Sequence, residues 1–404
     1  MTSTIFRMIL IASLVFCLRS PAEGGPPNPT ASDGGGNTAG GTGALLNTPS
    51  SAFSNTAFGR SALEANTDGA FNTAVGRNAL DDNTTGSDNT ACGALALDSN
   101  TTGDNNTASG SDALRSNTTG NDNTASGRAA LFSNTNGFQN TATGAYALFS
   151  NTGFQNTATG TEALRQNTTG FVNTATGYRA LFSNTTGIEN TATGAYTLEN
   201  NGDGISNTAT GYAALRANAT GISNTATGAY ALTANTTGLR NTAAGAQSLT
   251  ANTTGRNNTA HGYQTLASNT TGNSNTASGF NALRANTAGA ANTASGANTL
   301  LSSTTGVRNT AVGSNALRAN TTGRDNTALG RDTLLAVQKG TGNTAIGWGA
   351  GANLQDGRDN IYMGHPGAAS ESNTLRLGSD LQTRTFIAGV AGNAVTGNTV
   401  RITA

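Results

Sequence analysis

The sequence predicts a mainly β fold, a parallel β-solenoid or β-roll of about twenty 17-residue coils. Three observations predict it: an unusual composition, a strict period, and a consensus whose positions suit stacked turns. Glycine supplies 54 of 404 residues, charged residues 10% and aromatic residues 5%. A conventional core needs more Leu, Ile, Val and Phe than this, and a charge-rich disordered tail needs more charge. Regular repetition is the remaining way for such a chain to order.

The period comes first. Asn-Thr-Ala-x-Gly starts at Asn55, Asn72, Asn89, Asn106, Asn123 and Asn140. It recurs at Asn156, Asn173, Asn190, Asn207, Asn224, Asn241, Asn258, Asn275, Asn292, Asn309, Asn326 and Asn343. Every step is 17 residues except the one from Asn140 to Asn156, where Asn151-Thr152-Gly153 replaces Asn-Thr-Thr-Gly. Degenerate coils start at Asn37 and Asn360. The consensus reads N-T-A-x-G-x-x-A-L-x-x-N-T-T-G-x-x, and its ninth position is Leu in every coil from Leu63 to Leu334. At about 4.8 Å per stacked coil, nineteen steps make a rod of about 90 Å.

The coil Asn72–Asp88 shows what each position is expected to do. Thr73-Ala74-Val75 is a short extended segment, with Ala on one face and its neighbours on the other. Gly76 and Gly86 supply positive φ at corners. Asn72 and Asn83 bond turn backbone and stack into ladders from coil to coil. Ala79 and Leu80 give a thin axial core, with Leu80, Leu97, Leu114, Leu131, Leu148, Leu164, Leu181 and Leu198 as its ladder. The stretch around Ala79-Leu80 reads equally as a second short strand or as one helical turn. No coil buries enough alone, so stability comes from neighbour stacking. Leu181 is therefore expected to be intolerant of charge, and Arg179, at a variable position, to be tolerant.

Four segments follow. Residues 1–22 read as a signal peptide: Arg7, an apolar run from Met8 to Leu18 too short to span a bilayer, and a small-residue cleavage site at Ser20-Pro21-Ala22. Residues 23–54 are a Gly/Pro/Ser/Thr-rich leader with the degenerate first coil. Residues 55–359 are the solenoid, and 360–404 a C-terminal cap or fibre segment. The expected location is the exterior or the cell surface, with no transmembrane anchor in the mature chain. The formal net charge is zero and Lys339 is the only lysine. Nucleic-acid binding and anionic-membrane binding both lack their electrostatic driver.

No catalytic constellation stands out, and no cofactor or metal is called for. The two histidines, His261 and His365, are separate. The Ca-binding glycine-aspartate repeat is missing. Asp88, Asp122 and Asp325 precede coil starts too irregularly for an ion ladder and read as solvated turn residues. Asn-x-Thr sequons, as at Asn83 and Asn235, follow from the repeat itself.

The coils resemble the head repeats of trimeric autotransporter adhesins, the YadA-like left-handed parallel β-roll. The match is carried by Asn343-Thr344-Ala345-Ile346-Gly347-Trp348-Gly349-Ala350-Gly351-Ala352, Thr310-Ala311-Val312-Gly313 and Thr327-Ala328-Leu329-Gly330. The 17-residue spacing with its Asn-Thr-Thr-Gly turn is similar to a variant found in bacterial surface and phage tail-fibre-like proteins. Ser372-Asn373-Thr374-Leu375-Arg376-Leu377-Gly378 and Thr383-Arg384-Thr385-Phe386-Ile387-Ala388-Gly389-Val390 look like the fibre segment that precedes an endosialidase-type intramolecular chaperone. The resemblance implies a non-enzymatic adhesin-like fibre and a homotrimer, with a host or matrix surface ligand as partner. A fibre fragment derived from a phage is an alternative on the same resemblance.

One pattern points to another class. Six successive coils read Thr-Ala-Thr: Thr141/Thr143, Thr157/Thr159, Thr174/Thr176, Thr191/Thr193, Thr208/Thr210 and Thr225/Thr227. Ser takes the second place at Ser109, Ser126, Ser278 and Ser295. Stacked, these become two rows of hydroxyls and methyls, similar to the surface that β-solenoid ice-binding proteins use. The opposite expectation buries these Thr in the coil interior or at a trimer axis. It rests on Val75, Cys92, Val312, Leu329 and Ile346, which hold the same column elsewhere.

Overall fold

The computed structural model describes residues 35–49, 51–379 and 381–382. The signal peptide, most of the leader before Asn37, and the apolar Phe386, Ile387 and Val390 lie outside the described residues. The chain is a β-solenoid. Its strands, numbered β1 to β21 in chain order, run from β1 (Thr38–Gly40) to β21 (Leu375–Leu377), each three residues long, in one parallel sheet. Each strand pairs in register with the next: β2 (Thr56–Phe58) meets β3 (Thr73–Val75) with Thr56 on Thr73 and Ala57 on Ala74. Among the described residues there is no helix.

Three residues per coil are too few to hold a sheet, and the rest of each coil also bonds to its neighbours. Thr73 N–H donates to Asn89 O of the next coil at 2.8 Å, and Gly76 N–H to Phe58 O of the preceding one at 2.8 Å. Asn78 N–H reaches back to Arg60 O, and Leu80 N–H forward to Ala96 O. The backbone polar groups are thus satisfied between coils rather than within them.

The stretch around Ala79-Leu80 is neither of the expected elements. It is a continuous arc of turns in which positions seven and nine are left-handed, with φ 56° at Asn78 and 53° at Leu80. Position seventeen is left-handed too, with φ 58° at Asp88. A left-handed non-glycine residue costs about 1–2 kcal/mol. At Leu80 this is offset by complete burial, worth about 1.5–3 kcal/mol, and by the bond to Ala96. Because β-branched side chains are least tolerant of positive φ, the geometry explains why position nine is Leu in every coil from Leu63 to Leu334 and never Ile or Val.

The two glycines act differently from one another. Gly76 has φ 140°, as expected of a corner. Gly86 has no positive φ; a Cβ there would sit 2.5 Å from Gly103 O of the next coil, so close approach of the stacked coils alone selects glycine. The core is the expected Ala-Leu column: Ala74, Ala79 and Leu80 are fully buried, as are all eight members of the Leu ladder from Leu80 to Leu198.

The one short coil keeps the rows aligned. β7 (Thr141–Thr143) and β8 (Thr157–Thr159) pair Thr141 with Thr157, and Leu148 N–H still reaches Ala163 O at 3.0 Å. The deletion is absorbed at the turn, where Asn151 Nδ2 donates to Gly153 O across two residues instead of three. At the C-terminal end Gly351 stands in the Leu column, and Tyr362, in the middle of β20 (Ile361–Met363), fills the vacated space. Its hydroxyl donates to Glu371 Oε1 at 2.8 Å. Arg376 pairs with the same carboxylate, with Nη2 to Oε2 at 2.8 Å. That guanidinium, above all, holds the Glu371 carboxyl down at about 2, while burial and the carboxylate push the Tyr362 phenol up.

Candidate functional site

The interior of the rod is occupied by side chains, so the candidate sites are its outer faces. What keeps those faces regular is a pair of buried Asn ladders. Asn89 N–H donates to Asn72 Oδ1 at 3.0 Å, and the pattern continues to Asn360 N–H on Asn343 Oδ1. In the second ladder Asn83 Nδ2 donates to Asn66 Oδ1 at 2.8 Å and Asn100 Nδ2 to Asn83 Oδ1 at 2.8 Å. The two meet at one carbonyl, since Asn72 and Asn83 both donate to Gly86 O. With their amides consumed and fully buried, the sequon residues Asn83 and Asn235 are not presented by the folded rod.

The second ladder is broken at Ser303 and ends at Asn320. Ser303 replaces Asn, and Asn286 Oδ1, Ser303 Oγ and both amide atoms of Asn320 are buried without partners. Val337 and Leu354 then occupy the column with apolar side chains.

The Thr-Ala-Thr strands put both Thr outward. From β7 to β12 (Thr225–Thr227) each strand has an exposed first residue, a buried Ala and an exposed third residue. Thr141, Thr157, Thr174, Thr191, Thr208 and Thr225 form one row, and Thr143, Thr159, Thr176, Thr193, Thr210 and Thr227 the other, in unbroken register. Neighbours along a row are about 4.8 Å apart and the rows about 6.7 Å apart. The expectation of Thr inside the coil is overturned. The apolar residues that motivated it are outward as well: Val312, Leu329 and Ile346 are 40, 37 and 40% exposed.

Two further stripes flank these coils, and sequence reasoning passed over both. Before the strands, at position sixteen, an apolar strip runs from Phe138 through Phe154, Phe171, Ile188, Ile205 and Ile222 to Leu239. Its rings stack, Phe138 on Phe154 at 5.0 Å and Phe154 on Phe171 at 4.7 Å. After the strands comes a tyrosine row, Tyr178, Tyr196, Tyr212 and Tyr230, joined edge to face. Arginines brace the rings. Arg179 lies 4.1 Å from the Phe182 centroid, and Arg165 is 5.2 Å from that of Tyr146. Glu199, almost fully buried, takes Arg216 Nε at 2.6 Å and Arg179 Nη1 at 3.2 Å. Arg179 is therefore a bridging residue and not the neutral surface position expected. The signal for these stripes was the variable positions taken column by column rather than coil by coil.

His261 is exposed in the outward strand column, and His365 Nδ1 accepts the Gly367 N–H, far from it along the chain. Asp88, Asp122 and Asp325 are exposed, and Arg308 grips Asp325 with two bonds of 2.7 and 2.9 Å. Glu64, Asp81, Asp82 and Asp98 crowd the early coils, and burial chiefly raises the Asp81 and Asp98 carboxyls. Among the described residues no group of three His, Cys, Asp or Glu could hold a metal, and no helix is long and apolar enough to cross a membrane. The surface carries a shallow dish lined by Thr254, Arg256, Asn257, Thr271 and Asn273. No protein-family model, curated protein or solved structure matches the chain.

Proposed function

We propose that this chain is an exported, adhesin-like fibre without catalytic activity, which works by presenting long ordered rows on a rigid rod. The carrying observation is the register itself: the strand columns stay aligned from β1 to β21, and the coils from Leu63 to Leu334 keep the same Ala-Leu core. Such a rod offers a repeating surface, which suits contact with a long or repeating partner. Protease treatment of intact cells tests this. A surface fibre is digested or found in the medium; a chain protected inside the cell refutes the reading.

The fibre is proposed to be a homotrimer joined along the sheet. The outward columns turn apolar toward the C-terminal end, with Val312, Leu329, Ile346, Met363 and Leu377 in one column and Ile361 and Leu375 in the other. An apolar column of that length is better covered by copies of itself than by water. Light scattering is expected to give three times the chain mass, and deleting residues 372–404 to lower it toward one.

The exposed Thr-Ala-Thr array supports a second reading, ice binding. Two in-register rows of exposed hydroxyls and methyls offer water a regular array of sites. Thermal hysteresis by the purified chain, lost in Thr176→Lys and Thr193→Lys, would establish it; none in the wild type would remove it.

A further inference from the structure

The tyrosine row has a repeat of its own. Tyr178, Tyr196, Tyr212 and Tyr230 come from four successive coils, and their ring centroids are 5.4, 5.8 and 5.3 Å apart. Tyr178, Tyr212 and Tyr230 are 45, 48 and 43% exposed, enough to offer ring surface to a ligand. The four alternate between positions six and seven of the coil. Position seven is left-handed, with φ 57° at Tyr196 and 60° at Tyr230, whereas Tyr178 and Tyr212 have no positive φ. Alternate rings thus leave the backbone in different directions, and the row repeats every two coils, about 9.6 Å.

The polar groups beside the rings are also set. Among the described residues, Tyr362 is the one tyrosine whose hydroxyl bonds to protein, so the four hydroxyls of the row are left for a ligand. Arg216 lies 5.4 Å from the Tyr196 centroid, and Glu199 holds it there. The row therefore combines aromatic surface, free hydroxyls and a fixed guanidinium donor on four successive coils.

A ligand that fits must be long and extended along the stacked coils, with C–H faces to lie on rings and hydroxyl edges to meet donors. It must also repeat at the two-coil interval. A globular protein partner has no such translational repeat, a second copy of the rod is the alternative that the test below separates, and a chain of zero net charge gives a nucleic acid no overall electrostatic attraction. We infer that the row from Tyr178 to Tyr230 is a binding site for a linear β-1,4-linked polysaccharide lying along the rod axis. In that polymer successive pyranose rings are flipped, so it repeats every two sugars, and each sugar is about as long as one coil is thick. The inference rests on the fibre reading, because an external polysaccharide meets only an exported rod.

Titration calorimetry of the full chain tests it, with β-1,4-linked hexasaccharides of glucose and of N-acetylglucosamine as probes and the α-1,4-linked glucose hexamer as control. One of the β-linked probes is expected to bind at least about tenfold more tightly than the α-linked one. Tyr212→Ala and Tyr230→Ala should each weaken it about tenfold. Tyr212→Phe should keep most of the affinity and Tyr263→Ala all of it. Unchanged thermal unfolding shows that the variants are folded. Binding of neither β-linked probe to the wild type overturns the proposal, as does equal affinity in Tyr212→Ala and Tyr230→Ala. A drop in solution mass in those variants, without loss of sugar binding, would make the row an interface between copies and also overturns it. Failure here leaves the protease result on intact cells, and with it the fibre reading, untouched.

Discussion

Replacing Ser303 with Asn should stabilise the rod by repairing its broken ladder. Asn fits this column wherever the backbone path is the same, and Ser303 is fully buried on that path. By the geometry of the intact coils, an Asn here would donate Nδ2 to Asn286 Oδ1 and accept from Asn320 Nδ2, two atoms that are now buried without partners. An unsatisfied buried group costs roughly 1–3 kcal/mol. Two such groups at about 1.5 kcal/mol each make about 3 kcal/mol, and ordering the longer side chain takes back roughly 1 kcal/mol, which leaves a gain of about 2 kcal/mol. Stacking is nearest-neighbour, so the gain should be local. Hydrogen exchange at the Ser303 and Thr304 amides is the sensitive assay, because the first bonds to Leu300 O within the defective coil and the second to Thr321 O of the next coil. About 2 kcal/mol corresponds to exchange slowed about thirtyfold, with the coil at Asn184 unaffected. Ser303→Ala, which removes the hydroxyl without rebuilding the ladder, should give little of this. Exchange in Ser303→Asn as fast as in the wild type would refute the ladder as a source of stability.

Other variants probe other parts of the coil. Leu181→Asp should cost several kcal/mol through an unpaired buried charge. Leu181→Val should cost about 2–4 kcal/mol, more than the lost methylene alone, because φ there is 53° and β-branching resists it; urea unfolding with Leu181→Met as the mild control separates the terms. Val172 is β-branched at φ 55° and 44% exposed, so Val172→Asn should gain about 1 kcal/mol in the same assay. The Glu371 carboxyl is held at about 2, below its ordinary value of 4.5, chiefly by Arg376. A depressed carboxylate stabilises the folded cap fully above the ordinary value and loses that support as pH falls toward 2. Proteolysis with pepsin should therefore open the C-terminal cap before the central coils over that range, and in Glu371→Gln it should open at pH 6 as well, with a neutral-pH protease.

The period, the inward Ala and Leu, and the Asn ladders were legible because repetition displays each position many times and its chemistry is local. The arc through Leu80 was not. Nothing in a propensity scale expects Leu at φ 53°, and only the absence of Ile and Val from the column hinted at it. Gly86 was assigned the wrong reason because a glycine chosen for close approach looks the same in sequence as one chosen for φ. Arg179 was underrated because its partners, Glu199 and Phe182, are on other positions of the coil and on the next coil. The orientation of Thr143 and its row could not be settled by composition, since Val312 and Ile346 share that column and are nonetheless exposed.

Small-angle X-ray scattering of the full chain tests most directly whether the coils stack into one rod. A 90 Å rod has a radius of gyration of roughly 26–30 Å and a linear cross-section regime, whether one chain or three lie side by side, and that is the expected result. A disordered chain of this length has a radius near 70 Å with no such regime, and that curve would contradict the stacked solenoid on which everything else depends.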